Sequence, residues 1–130
     1  MEIKRSIDIE DAIRELLADH YTAYVRPLPD KFKVPCLLIQ RVGGISDVRG
    51  DGIREVDHFE VTIDARAETE YDADIMLRNS IAILEKIASE QNTKIARVVV
   101  NTIGSWGQDP VRPDLAMATA RLRVTARTEN

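Results

Sequence analysis

A chain of 130 residues, 44% hydrophobic and 31% charged, is long enough to bury a core and has the balance of an ordinary globular domain. Its formal net charge of -4 argues against nucleic-acid binding driven by bulk charge, and no apolar run approaches the roughly 18 residues that a membrane span requires. The N-terminus shows no signal-peptide core, and the single cysteine, Cys36, sits in an apolar stretch; a buried, reduced thiol in a chain made in a cytoplasm is expected.

The first helix is predicted from Ile9 to His20. Asp8 is its N-cap, acidic residues fill its first turn, and Ile9, Ala12, Ile13, Leu16 and Leu17 form one apolar stripe. A short strand from Thr22 to Arg26 is stopped by Pro27 and Pro29, and Pro35 opens another that runs to about Val42. Between Gly43 and Asp57 lie Gly43, Gly44, Gly50 and Gly52 with no sustained apolar run, which predicts a flexible glycine-rich loop or hairpin tip. His58 to Ala67 alternates apolar and polar residues and reads as a strand with one face on a core.

Thr69 and Asp72 cap a long helix predicted to reach about Gln91, with Ala73, Leu77, Ser80, Ile81, Leu84, Ile87 and Ala88 at helical spacing. Met76 and Ile83 widen that stripe, and Asn92 is expected to end the helix in a left-handed conformation. Ile95 to Ile103 is predicted as a strand whose Val98, Val99 and Val100 favour burial on both faces. Gly104 to Asp114 reads as a structured loop. Ala116 to Arg127 then alternates without a break, placing Ala116, Ala118, Ala120, Leu122, Val124 and Ala126 on one face. The order α-β-β-β-α-β-β predicts one α+β domain over residues 1–130, an antiparallel or mixed sheet with both helices on one face.

No catalytic, cofactor or metal site is expected. His20 and His58 have no ligand partner at metal spacing, and Asp57-His58 would point to opposite faces of a strand. Gly50-Asp51-Gly52 lacks the acidic positions that would complete a calcium loop, and Arg49-Gly50-Asp51 spells an adhesion tripeptide that coincidence explains. The charged residues point instead to contact surfaces. Arg49, Asp51 and Arg54 lie in the glycine-rich segment. Trp106 either caps the core edge or anchors an interface. Arg121, Arg123 and Arg127 either pair across the sheet with Glu60, Asp64 and Glu68 or face a neighbouring subunit, where charge sets orientation.

Taken in order, several stretches resemble bacteriophage tail terminator and head–tail joining proteins of the tail-completion type. They are the helix Ala12-Ile13-Arg14-Glu15-Leu16-Leu17; the proline-led strand Pro35-Cys36-Leu37-Leu38-Ile39-Gln40-Arg41-Val42 ending in Gly43-Gly44; and the strand Val61-Thr62-Ile63-Asp64-Ala65-Arg66-Ala67. A long helix entered through acidic residues follows, then Asp109-Pro110 and Arg112-Pro113-Asp114 leading into Ala120-Arg121-Leu122-Arg123-Val124-Thr125-Ala126-Arg127. The resemblance covers nearly the whole chain and rests on order and spacing, not on a chemical motif. It implies a ring of copies, usually six, at the head-proximal end of the tail tube in the virion. There the ring would stop tube growth and offer a surface to the head connector, with DNA only passing through its channel. It implies no catalytic residues and no cofactor. The alternatives are a neck or head-completion connector, and a small ligand-binding α+β module.

Overall fold

The computed structural model describes residues 8–48 and 54–127. The architecture is α+β, in the order α1 (Ile9–Leu17), β1 (Ala23–Val25), β2 (Cys36–Val48), β3 (Arg54–Ala67), α2 (Glu70–Glu90), β4 (Ile95–Gln108) and β5 (Ala116–Arg127). Five strands form one mixed sheet in the order β1-β2-β3-β5-β4; β1 runs parallel to β2 and every other pairing is antiparallel. No described helix is long and apolar enough to cross a membrane.

Alternation decides what each strand buries. Phe59, Val61, Ile63 and Ala65 of β3 stand opposite Val124, Leu122, Ala120 and Ala118 of β5, and all are at most 2% exposed. Their face meets Leu37 and Ile39 of β2 and is covered by the apolar stripes of both helices, so one cluster holds the two layers together. On α1 the stripe is Ile9, Ile13 and Leu17; on α2 it runs from Ala73 through Leu77, Ile81 and Leu84 to Ala88. Burying each large apolar side chain contributes about 1.5–3 kcal/mol.

The helix ends follow their caps. Asp8 accepts a hydrogen bond from the Asp11 N–H at 3.2 Å, and Thr69 Oγ1 accepts one from the Asp72 N–H at 3.1 Å. Helix α1 stops at Leu17, earlier than expected. Residues 18–20 are exposed, and the Leu17 carbonyl accepts from the N–H groups of both His20 and Tyr21. On α2 the left-handed residue is Gln91 (φ 57°), not Asn92. Its amide donates to the carbonyls of Ala88 (2.6 Å) and Ala96 (2.9 Å), which offsets the cost of that conformation in a residue with a Cβ.

Three strand expectations need correction. The segment from Gly43 to Asp57 is mostly sheet: Gly43 pairs with Glu60, Asp47 with Val56 and Val48 with Arg54, leaving residues 49–53 outside the description. Strand β4 continues through Gly104 to Gln108, where a loop was expected, pairing with β5 across three register shifts. Gly107, at φ +82°, supplies the positive torsion at the last of these irregularities. Val99 is 37% exposed rather than buried, because β4 is an edge strand with helix α2 on one side only.

Gly44 shows why glycine belongs in β2. A Cβ there would stand 2.7 Å from the His58 carbonyl oxygen and 3.3 Å from the Phe59 Cα, both backbone atoms of the paired strand. Gly44→Ala is therefore expected to cost about 1–3 kcal/mol of stability. Gly104→Ala, with nothing within 4 Å of the added carbon, should stay within about 0.5 kcal/mol. Urea midpoints of the two variants check this contrast.

Candidate functional site

Over β3, β5 and β4 the face of the sheet turned away from the helices is mostly polar and ordered in rows, while on β2 it carries the buried side chains of Cys36 and Leu38. From β4 to β3, one row reads Arg97, Thr125 and His58, and the next reads Val99, Arg123 and Glu60. Arg121 and Thr62 follow, then Gly104, Thr119 and Asp64. His58 Nδ1 and Thr125 Oγ1 lie 2.9 Å apart, Thr119 Oγ1 donates to Asp64 at 2.7 Å, and Arg121 Nε donates to Glu60 at 3.3 Å. Asn101 also donates to Glu60, at 3.2 Å. Of the three arginines expected either to pair across the sheet or to face a neighbouring subunit, Arg121 pairs, with Glu60. Arg123 is exposed and forms no ion pair among the described residues.

Arg127 does something the alternation did not suggest. Its guanidinium donates to the Thr93 carbonyl at 2.9 Å and to the Gln91 side-chain oxygen, tying the end of β5 to the turn between α2 and β4. The remaining interface candidates stay open. Arg49 and Asp51 lie outside the described residues, as does the whole of Arg49-Gly50-Asp51-Gly52, for which neither a calcium loop nor an adhesion role was expected. Arg54 opens β3 and Trp106 lies within β4, but their side chains are not among those described. His20 is exposed in the turn after α1, and Asp57 and His58 fall on opposite faces of β3, with Asp57 2% exposed on the helix side. Among the described residues no group of three or more His, Cys, Asp or Glu side chains is placed to hold a metal ion.

At one end the polar face is covered. The connection from Asp109 to Leu115 folds over it and buries Arg66, which alternation had placed facing solvent. Arg66 Nε lies 2.5 Å from Asp109 Oδ2, and its Nη1 is buried 3.9 Å from Asp64 with no hydrogen-bond partner. The other Asp109 oxygen accepts from the N–H groups of Val111 (2.8 Å) and Arg112 (3.1 Å). Burial alone pushes this carboxyl up; the Arg66 hydrogen bond and the two backbone N–H groups outweigh it and hold Asp109 below its ordinary range. The sequence signal was present in Asp109-Pro110, an aspartate poised to accept from the N–H groups that follow it.

Cys36 lies beside Arg66 in the register and is fully buried, as expected. Burial pushes its thiol up to about 11, against a smaller lowering by Arg66. A folded-state value above the unfolded one means this group favours folding below about pH 8.5, with the contribution lost as pH rises toward 11. Native protein at pH 8 should therefore react with a thiol reagent only at the rate at which it opens, and rapidly in denaturant. Fast labelling of the folded chain would contradict the placement.

A hollow that the sequence did not reveal lies where the start of β2 meets the first turns of α2. It measures about 440 Å³, within the range of sites that bury a ligand. Val34, Pro35, Ile75 and Met76 supply apolar wall, and Glu68 and Asp72 bring two carboxylates to it. Its wall is assembled from residues distant in the chain, and no local pattern marks them.

A scan against protein-family models and a search of curated proteins both return no match for this chain.

Proposed function

We propose that the chain is a structural subunit of a phage or prophage tail, of the tail-terminator type. In this reading copies assemble into a ring, of six by the family's habit, on the head-proximal end of the tail tube. The ring covers the surface on which the tube grows and presents a different surface to the head connector. Its partners are other copies of itself, the tube protein and the connector, with DNA only passing through the channel.

The observation that carries the reading is the uncovered face of the sheet. Its rows of Arg, Glu, Asp and Thr are held in register by cross-strand hydrogen bonds, and exposed Arg97 and Arg123 remain open to a partner. A surface of this kind orients a neighbour more than it binds it, as an assembly protein requires. A ring needs one patch of each copy to meet a different patch of the next. The α+β order is also the one the sequence resemblance implies.

The mechanism is steric and calls for no reacting group. Adding the purified chain to polymerising tube subunits of the phage that encodes it should shorten the tubes and leave a cap at one end. Tube lengths indifferent to the added chain would overturn the terminator role and favour the neck connector.

A further inference from the structure

Val111 is the most exposed of the large hydrophobic side chains described, at 84%. A single exposed valine is unremarkable by itself. This one, however, stands on a backbone that is fixed from every side. Asp109 accepts from the Val111 and Arg112 N–H groups and is anchored to buried Arg66; the Asp109 N–H donates to the Leu115 carbonyl at 2.8 Å, and the Leu115 N–H to the Arg112 carbonyl at 2.9 Å. Leu115 closes the base of the turn, 3% exposed. The apex Pro110-Val111-Arg112 is thus a preformed knob, and engaging a partner costs it little ordering entropy.

The hollow beside α2 has the complementary chemistry. Its wall is apolar, its carboxylates are Glu68 and Asp72, and Ile75 and Tyr71 extend an exposed apolar rim (40% and 74% exposed) along the same helix face. No residue of the 109–115 connection lines it. Arg112 follows Val111 directly and is about half exposed; it is bonded to Asp114 at 2.8 Å and lies over the Phe32 ring, 5.8 Å from its centroid, contacts it would have to share with a partner. A cation near a helix N-terminus meets roughly +0.5 of an elementary charge, which two carboxylates exceed.

We propose that the Pro110-Val111-Arg112 knob of one copy seats in the hollow of a second copy, Val111 against Val34, Pro35 and Met76, and Arg112 toward Glu68 and Asp72. Knob and hollow are different patches that border one another at Glu68, which also lines a second hollow with Pro113 and Asp114, so each copy offers one of each and a second copy can return the contact across a two-fold axis or pass it on to a third. Its place in a ring rests on the assembly reading above; the contact itself is a property of the chain in solution.

The test is molar mass by sedimentation across a concentration series, with melting curves as the check on folding. The wild type should associate. Val111→Asp and Glu68→Lys should each weaken association by about tenfold or more while leaving the melt unchanged, as loss of an interface anchor does. Combining Glu68→Lys with Arg112→Glu should restore much of the mass that Glu68→Lys loses. A wild type that stays monomeric at its highest soluble concentration would overturn the contact. So would a Val111→Asp variant with undiminished mass, or a double variant no better than Glu68→Lys. None of these results bears on tube lengths, so the contact and the tail role fail separately.

Discussion

Leu122→Asp is expected to leave the chain unfolded at temperatures where Arg123→Ala is fully native. The two residues are neighbours in β5, but Leu122 is fully buried between Val61 and Val100 while Arg123 is exposed on the opposite face. Removing the leucine side chain forfeits about 2–5 kcal/mol. Leaving a carboxylate there without a counter-charge adds several more, and the sum rivals the 5–15 kcal/mol that holds a typical domain together. Arg123→Ala touches no core atom and should shift stability by no more than about 0.5 kcal/mol. Far-ultraviolet circular dichroism during thermal melting separates the two. Similar losses in both variants would mean that the faces of β5 are assigned the wrong way round.

Asp109→Asn should be the second most damaging change, and its cost should depend on pH. The variant keeps an oxygen able to accept from Val111 and Arg112 but removes the carboxylate bonded to the buried Arg66 Nε, leaving Asp64, 3.9 Å from Nη1, as the remaining counter-charge. Breaking such a pair costs about 3–5 kcal/mol. In the native state the Asp109 carboxyl is held below its unfolded value, so its ionised form favours folding. That contribution is complete above the unfolded value, near pH 4, and is lost as pH falls through the lower folded value. The gap between wild type and Asp109→Asn in urea unfolding should be constant from about pH 6 to 8 and narrow in acid below about pH 4. A gap that does not change with pH would mean that the carboxylate's charge contributes nothing and only its shape matters.

Where the sequence could be read, and where it misled, follows from what alternation encodes. The strand Ala116–Arg127 was predicted with its observed bounds because its alternation is unbroken and its pairing with β3 runs without a register shift. Gly104 and Gly107 made the end of β4 look like a loop. In the sheet they pair with Thr119 and Met117, on an edge strand whose irregularities glycine tolerates. Gly43 and Gly44 misled in the same way, since at Gly44 a close approach of two strands selects the residue type that also marks turns. Alternation also assigns a residue to a face without saying whether a distant segment covers that face. Arg66 was read as solvated for this reason, and the Asp109–Leu115 connection buries it. Arg127 was read as pairing across the sheet or facing a neighbour, and alternation gave no sign that its long side chain reaches the end of α2. The hollow was illegible because Val34, Glu68 and Met76 meet only after the two layers close.

The central claim, that this chain ends the growth of a tail tube, is tested most directly by deleting its gene from the phage or prophage that encodes it and measuring tail lengths by negative-stain electron microscopy. Overlong tails without heads are expected, because only a missing cap lets the tube continue. Tails of normal length, whether beside unattached heads or in intact infectious particles, would contradict it.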